Sequence, residues 1–185
     1  YKTKLIGISN LFSFAFPDVK ILIEEIKSTF PNIPVVLGGP HPTHLCDYTL
    51  KNTKTDYIII GEGEVPLIHL WNFITGDLLI DDVPSLAYLN DDGEVIRTVA
   101  FPRIKNINSD NLPFPARHLL PMENYIGEQE AHGAVNDRWT TILSSRGCPY
   151  GCTFCDSRRT KFISRTATDV VDEIEHCNSK YGIVE

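Results

Sequence analysis

Three of the five cysteines lie within eight residues, in the segment CPYGCTFC that starts at Cys148. The spacing is C-x3-C-x2-C, and a proline and a glycine break the segment into a loop that follows a short apolar run. Three thiolates from one loop can hold three irons of a [4Fe-4S] cube and leave the fourth iron without a protein ligand. An open iron indicates chemistry on a small molecule rather than simple electron storage. Cys148, Cys152 and Cys155 are therefore the predicted metal ligands.

Two other uses of clustered cysteines fit this sequence less well. Structural zinc sites usually pair cysteines as C-x2-C with a second pair or with histidines further on, and only His176 and Cys177 follow this loop. A disulfide needs an oxidising compartment, and no signal peptide is visible in the sequence. An iron-sulfur loop is the favoured interpretation, with zinc and a disulfide as the alternatives.

The loop resembles the signature of the radical S-adenosylmethionine (SAM) enzymes, in which an aromatic residue, here Phe154, stands just before the last cysteine. The resemblance implies that Cys148, Cys152 and Cys155 ligate a [4Fe-4S] cluster whose open iron chelates the amino and carboxylate groups of SAM. It also implies reductive cleavage of SAM to methionine and a 5′-deoxyadenosyl radical. Phe154 is then expected near the adenine, and Tyr150 is counted among the cofactor contacts of the same loop.

The front of the chain alternates strand patterns with helix patterns. Short apolar runs predict three strands, and apolar residues at helical spacing predict a helix after each of them. The predicted strands are 4–9, 34–37 and 57–60, and the predicted helices are about 17–30, 45–51 and 65–74. No helix is expected directly after the second strand, because Gly38-Gly39-Pro40 closes it. The alternation predicts an α/β fold with a doubly wound parallel sheet.

Three loops rich in small residues follow the predicted strands. In doubly wound sheets ligands bind beyond the carboxyl ends of the strands, and small residues let a large flat ligand approach the backbone. The candidate binding residues in these loops are Ser9, Asn10, Leu11, Gly38, Gly39, His41, Pro42, Thr43, Gly61, Glu62, Gly63 and Glu64. For His41, as for His44, a surface or packing role is favoured over metal ligation.

This arrangement resembles the cobalamin-binding domain that precedes many radical SAM enzymes, over most of residues 1–80. In that domain a Ser-x-Leu after one strand and a Gly-Gly after the next line the nucleotide tail of cobalamin. The matching residues are Ser9, Leu11, Gly38 and Gly39. The runs GGPHPT and GEGE are similar to the forms used in this subgroup of radical enzymes. The resemblance implies that the first two strands of the domain, and any histidine there that ligates cobalt, precede residue 1.

Between the two modules the periodicity fades. The runs 85–89 and 94–98 flank a turn with Gly93 at the left-handed position, which predicts a β-hairpin. The proline-rich stretch 111–121 predicts a semi-rigid connector, and it resembles the linker between the cobalamin and radical domains of the family. A stiff spacer suits a protein that holds two cofactors at a set distance. The polar segment 125–137 is predicted to be a loop over the domain junction.

The last part of the chain predicts the first unit of a (β/α) barrel. Residues 139–144 are expected to form a strand, followed by the cysteine loop and a helix from about 168 to 181. Thr166 or Thr168 can cap this helix and Gly182 can end it. Its expected apolar stripe is Val170, Val171, Ile174, Cys177 or Asn178, and Tyr181. The cluster would then lie at the carboxyl end of a barrel strand, where barrels keep their active sites.

The predicted organisation has three parts: a cobalamin-binding α/β domain over 1–80, a hairpin and linker over 81–138, and the start of a radical SAM barrel over 139–185. The 185 residues, with 42% hydrophobic and 22% charged residues, predict a soluble globular protein with a sizeable core. No apolar run reaches the length of a membrane span, and a cytoplasmic location is expected. The net charge of -7 makes a nucleic-acid partner unexpected. The start at Tyr1 and the end in a strand-like run predict a piece of a longer protein.

The sequence therefore predicts a cobalamin-dependent radical SAM enzyme with cobalamin, SAM and a [4Fe-4S] cluster as cofactors. Methylation of an unactivated carbon is the expected reaction, with cyclisation or rearrangement open. A small molecule or peptide is the expected substrate, flavodoxin or ferredoxin the expected electron donor, and the fragment alone is expected to be inactive. One alternative is a cobalamin-free radical SAM enzyme similar to the tRNA methylthiotransferases, although residues 1–80 offer only Cys46 for the extra cluster of those enzymes. The other alternative is a non-catalytic corrinoid- or metal-binding module.

Overall fold

A computed structural model describes residues 2–126, 138–155, 157 and 160–185 of the chain. The chain divides into two compact units, Tyr1–Arg103 and Ile104–Glu185. The strands are β1 (Ile6–Ser9), β2 (Val35–Gly38), β3 (Tyr57–Ile59), β4 (Leu86–Leu89), β5 (Val95–Arg97), β6 (Ser145–Cys148) and β7 (Thr160–Ser164). The α-helices are α1 (Phe16–Thr29), α2 (Pro40–His44), α3 (Cys46–Asn52), α4 (Glu64–Thr75) and α5 (Ala167–Tyr181). Short 3-10 turns lie at Ser13–Ala15, Ile80–Asp82, Arg117–Leu119 and Met122–Asn124.

The first unit is built on a five-stranded sheet of order β1-β2-β3-β4-β5. β1, β2 and β3 run parallel, and β4 and β5 are antiparallel neighbours, so the sheet is mixed. The predicted α/β class is confirmed. The predicted hairpin turns at Gly93, which has a φ of +76°, and its strands continue the sheet beyond β3. The predicted boundaries at 80 and 138 stay a prediction.

Helices cover both faces of this sheet because successive strand residues point to opposite sides. One face packs against α1 and α3, and its buried residues are Ile23, Val35, Leu37, Cys46, Leu50, Ile58 and Ala87. The other face packs against α4, and its buried residues are Val36, Ile59, Leu70, Val83 and Leu86. The two cores together confirm the doubly wound arrangement and fix the carboxyl ends of β1, β2 and β3 at one edge.

The turn after β2 differs from the prediction. A helix does begin directly there, because α2 starts at Pro40 and runs for five residues. Proline is favourable at the first position of a helix, where its missing N–H has no intrahelical acceptor in any case. The prediction that Gly38-Gly39-Pro40 excludes an immediate helix was wrong. The consequence is that His41, Pro42 and Thr43 are held on a helical turn rather than on a loop.

The second unit contains the antiparallel pair β6 and β7 and the helix α5. Residues 139–144 are not a strand, so that prediction was wrong. They lie next to the last residues of the chain, where the Thr140 N–H donates to the Glu185 carbonyl (3.0 Å). The strand β6 starts at Ser145, and β7 has no counterpart in the sequence-based prediction. The cysteine loop therefore joins two strands of a hairpin.

Helix α5 has the predicted ends and a different inner face. The Thr166 hydroxyl accepts a hydrogen bond from the Asp169 N–H, and Gly182 ends the helix with a φ of +62°. Both capping predictions are confirmed. The buried residues of α5 are Asp169, Glu173 and Cys177, whereas Val171 and Ile174 are about half exposed. The predicted apolar stripe was thus wrong at those two valine and isoleucine positions.

Within the described ranges, no helix combines the length and the apolar character that crossing a bilayer requires.

Candidate functional site

The three loops at the carboxyl ends of β1, β2 and β3 are joined by hydrogen bonds. The Asn10 N–H donates to the Gly38 carbonyl (2.8 Å), and the His41 N–H donates to the Asn10 carbonyl (3.3 Å). On the other side, the Gly61 N–H donates to the Thr43 hydroxyl (3.1 Å). The predicted binding residues of these loops therefore form one continuous edge. Here it is called the strand-end site.

The two adjacent glycines at the end of β2, Gly38 and Gly39, differ in how much room the structure leaves for a side chain. Gly39 has a φ of +101°, and a Cβ on it would lie 2.6 Å from the Asn10 carbonyl oxygen. Only glycine fits such a position, because the backbone of the neighbouring loop occupies the place of a side chain. A Cβ on Gly38 would meet no atom within 4 Å. Gly39 is thus required by the fold, and Gly38 presents bare backbone to open space.

Two buried polar side chains lie at the same strand-end site. Asn10 is 2% exposed, and neither polar atom of its amide has a hydrogen-bond partner within the described residues. His41 accepts from or donates to the Ser13 hydroxyl through Nδ1 (2.9 Å) and stacks on Phe16 at a centroid distance of 4.4 Å. Its Nε2 is also without a partner there, and burial lowers the pKa of His41. A buried amide left unpaired costs about 1–3 kcal/mol.

These features fit a large ligand that carries amide and phosphate groups. Open backbone at Gly38 allows close approach, and the unpaired amide of Asn10 provides hydrogen-bonding capacity at the same edge. Cobalamin has this chemistry, with amide side chains around its ring and a phosphate in its nucleotide tail. The residues present therefore fit cobalamin.

The other predicted residues of this edge fall into four environments. Ser9 and Leu11 flank Asn10 and are exposed, whereas Pro42 is buried in α2. Gly61 is exposed, and a Cβ there would meet no atom within 4 Å. Gly63 and Glu64 begin α4. Glu62 forms an ion pair with Arg103, with 3.4 Å between Oε1 and Nε.

The second candidate site is the cysteine loop between β6 and β7. Cys148 ends β6, and its N–H donates to the Thr160 hydroxyl (2.9 Å), which in turn donates to the Ser157 carbonyl (2.7 Å). Cys152 is exposed, and the Cys155 N–H donates to its carbonyl (3.2 Å). Among the described residues, no three His, Cys, Asp or Glu side chains are gathered closely enough to hold an ion.

Gly147 sets the geometry just before the first cysteine. Its φ is +82°, and a Cβ there would lie 2.2 Å from the Lys161 carbonyl oxygen. The register between β6 and β7 shifts at this point, between Arg146 and Cys148. Such a bulge re-aims the residue that follows it. Cys148 is therefore directed by a backbone conformation that only glycine adopts without strain.

The chemistry of the loop fits an iron-sulfur cluster. It offers three free thiols on an accessible segment, and Tyr150 and Phe154 beside them are largely exposed, the latter at 92%. Exposed aromatic rings next to a metal site can stack on a planar group such as adenine. Cys46 and Cys177 are buried instead, and burial raises the pKa of both thiols. Cys177 was predicted to lie on the apolar stripe of α5, and its burial confirms this.

The sequence-based prediction missed the residues that support this loop. Thr160 holds the amide of Cys148, and a buried group of Arg117, Arg165, Asp169 and Glu173 lies in the same unit. A signal for part of the second group was present, because Asp169 and Glu173 lie four residues apart on the predicted helix and so share one of its faces.

The chain is similar to known proteins along nearly its whole length. Residues 1–70 match the family model of the B12 binding domain. Cytidylyl-2-hydroxyethylphosphonate methyltransferase from Streptomyces wedmorensis is 28% identical over 98% of this chain and 38% of its own length. The anaerobic magnesium-protoporphyrin IX monomethyl ester cyclase of Cereibacter sphaeroides is 30% identical over 90% of this chain and 27% of its own.

Among solved structures, the radical S-adenosylmethionine methyltransferase TsrM from Kitasatospora setae superposes with a TM-score of 0.72. It is 21% identical, and the match covers all of this chain and 36% of the TsrM chain. This likeness shows the fold. The chain thus spans between about a quarter and two fifths of the length of these relatives.

At the level of the family, the predicted cofactors, cobalamin, SAM and a [4Fe-4S] cluster, are confirmed. The B12 binding domain match at the front of the chain and relatives along most of its length, among them the cobalamin-dependent radical SAM methyltransferase TokK of Streptomyces tokunonensis (28% identical over 86% of this chain), lead to one conclusion: the chain has homologues among the cobalamin-dependent radical SAM enzymes.

Proposed function

We propose that this chain is part of a cobalamin-dependent radical SAM enzyme that methylates an unactivated carbon. The observation that carries the proposal is the presence, in one chain, of a B12 binding domain and of a C-x3-C-x2-C loop at a strand end. Curated relatives that cover nearly the whole chain include a methyltransferase, which supports methyl transfer.

In the first unit, the strand-end site would hold the cobalamin. The tail of the ligand would run over Gly38 and Gly61, where no Cβ stands in its way. Ser9 and Leu11 would flank it, and the amide of Asn10 would gain the hydrogen-bond partner that it lacks. His41 is held by Ser13 and Phe16 and packs beneath the loops, so its role would be to keep α2 in place.

In the second unit, Cys148, Cys152 and Cys155 would ligate the cluster. The β6–β7 hairpin fixes the first ligand through Gly147 and Thr160, and the exposed segment with Cys152 would fold towards it. When bound, the cluster supplies the electron that cleaves SAM, and cobalamin carries the methyl group to be transferred. Phe154 and Tyr150 would cover the adenine and exclude water.

Cyclisation or rearrangement is the second candidate. It is favoured by the 30% identity to the magnesium-protoporphyrin IX monomethyl ester cyclase of Cereibacter sphaeroides. Both candidates use the same two sites in this chain. They differ in the fate of the substrate carbon and in whether a methyl group is added.

The test uses the full-length protein, reconstituted without oxygen with iron, sulfide and hydroxocobalamin and given SAM and a chemical reductant. We expect formation of 5′-deoxyadenosine or of S-adenosylhomocysteine, measured by liquid chromatography and mass spectrometry. A variant with Cys148, Cys152 and Cys155 changed to Ala serves as the control and should form neither product. Equal product formation by this variant and the unchanged protein would contradict the proposal. Methylated candidate substrates, as opposed to cyclised ones, would decide between the two reactions.

A further inference from the structure

Four charged side chains are buried together in the second unit. Arg117, Arg165, Asp169 and Glu173 have side-chain exposures of 8, 7, 8 and 2%. Arg117 Nη1 lies 2.7 Å from Glu173 Oε1, Arg165 Nε lies 2.5 Å from Asp169 Oδ2, and Arg165 Nη1 also pairs with Glu173. This group is called the buried ion cluster below. Its two cations and two anions balance.

Neighbouring groups support Asp169 and Arg165 of the buried ion cluster. The backbone N–H of Ser109 donates to Asp169 Oδ1 (2.8 Å), and the Ser109 hydroxyl donates to the same oxygen. The guanidinium of Arg165 also lies over the ring of Phe114, 5.4 Å from its centroid. Although burial alone would lower it, the hydrogen bonds with Asp169 and Glu173 raise the pKa of Arg165. Hydrogen bonds from Ser109 lower the pKa of Asp169.

Stability alone does not explain such a group. Well-packed apolar residues of similar volume are often as stabilising as a buried ion pair, because removing charges from water is costly. Apolar residues, however, cannot hydrogen-bond to backbone carbonyl groups. The further contacts of the two arginines show which backbone carbonyls accept such hydrogen bonds.

Both guanidinium groups donate hydrogen bonds to the backbone just before β6, which is called the cysteine strand because it ends at Cys148. Arg117 Nη2 donates to the Thr141 carbonyl (3.1 Å), and Arg165 Nη1 donates to the Leu143 carbonyl (3.1 Å). The backbone N–H of Arg165 donates to the Ser144 carbonyl (2.9 Å). β6 begins at the next residue and ends at Cys148. Three contacts within four residues thus fix the segment from which the first predicted ligand extends.

We propose that the buried ion cluster positions the cysteine strand, and that Arg117 and Arg165 are positioning residues for the metal site. The inference rests on the proposed function for what the loop holds. A planar guanidinium can bond carboxylates and a carbonyl at the same time through its fixed fork of donors, whereas the ammonium of lysine is a single point charge. Arg→Lys substitutions therefore keep the positive charge and remove the simultaneous hydrogen bonds to the carboxylates and the carbonyl.

The experiment compares three variants of the full-length protein, Arg117→Lys, Arg165→Lys and the control Arg138→Lys. Arg138 also bonds a carboxylate, that of Glu123, and backbone carbonyls at the end of α5, but none in 141–148. Hydrogen exchange is measured on the protein without cofactors, and iron content and EPR spectra are measured after anaerobic reconstitution. Helical circular dichroism reports whether each variant is folded.

We expect the amides of β6 to exchange about tenfold faster in Arg165→Lys, the factor that loss of one charge-assisted hydrogen bond gives. The amides of α5 should stay protected, iron content should fall, and the EPR spectrum of the remaining cluster should change. Arg138→Lys should match the unchanged protein in all of these. If Arg165→Lys does not fold, Arg117→Lys, which loses a single carbonyl contact, provides the same comparison.

Unchanged exchange in β6 in the folded lysine variants would overturn the inference. So would faster exchange combined with normal iron content and a normal EPR spectrum, because the position of the strand would then not matter to the site. If the unchanged protein binds no iron, the proposed function fails. The exchange measurement still decides whether the buried ion cluster fixes the strand.

Discussion

Substitution of Gly39 by Ala separates a glycine that the fold requires from one that it does not. At φ +101° and ψ 175°, Gly39 lies in a backbone region that is almost closed to other residues, and occupying it costs about 1–3 kcal/mol. The new Cβ would also stand 2.6 Å from the Asn10 carbonyl oxygen, and such overpacking adds about 1–3 kcal/mol. We therefore expect Gly39→Ala to destabilise the first unit by roughly 2–6 kcal/mol.

Gly38→Ala is the matched control on the adjacent residue. Its Cβ would meet no atom within 4 Å, so its effect on stability should stay within about 1 kcal/mol. The assay is urea unfolding followed by tryptophan fluorescence in a Trp139→Phe background, where Trp71 on α4 reports on the first unit alone. Equal stability of the two alanine variants would refute the reasoning, because it would mean that the close approach at Asn10 is absent.

Three further predictions concern single groups. Glu173→Ala leaves two buried arginines without one carboxylate and should destabilise the second unit by about 3–5 kcal/mol, whereas Glu123→Ala, on an exposed pair, should change its thermal unfolding little. Thiol labelling of the folded protein without its cluster should modify the three loop cysteines rapidly and leave Cys46 and Cys177 unmodified until the protein unfolds. Early labelling of either buried thiol would argue against the packing described. Burial lowers the pKa of His41, so as the pH falls below the ordinary histidine pKa of 6.5 the unfolded chain binds more protons than the folded one. The urea midpoint of the first unit should therefore drop between about pH 7.5 and 5.5. His41→Gln should lessen this drop, and an unchanged pH dependence in that variant would contradict the prediction.

The first unit could be predicted closely because its signals are local. Apolar runs of strand length, helical spacing and glycine or proline punctuation lie within single segments, and the loops at 9–11, 38–43 and 61–64 meet because parallel strands end at one edge. The difference between Gly38 and Gly39 could not be predicted. It depends on the distance to Asn10, which is set by the packing of two loops that are far apart in sequence.

The second unit was harder to predict because its signals are not local. The cysteine spacing alone identified the loop. β7 was not predicted, because it is defined by its pairing with β6 rather than by a pattern within its own sequence. On α5, Asp169 and Glu173 are buried because Arg117 and Arg165 neutralise them, and Arg117 comes from the proline-rich stretch. Hydrophobic periodicity cannot show that a charged residue is buried when its partner lies on another segment.

The most direct test of the account is a pair of spectra on the full-length protein after anaerobic reconstitution with iron, sulfide and hydroxocobalamin. We expect visible absorption of a bound corrinoid together with the EPR signal of a reduced [4Fe-4S] cluster. Replacing Cys148, Cys152 and Cys155 by Ala should abolish the cluster signal and leave the corrinoid in place. Gly38→Trp should instead abolish the corrinoid absorption and leave the cluster signal unchanged. A cluster without corrinoid would contradict the assignment of the strand-end site, and zinc in place of iron would contradict the radical mechanism.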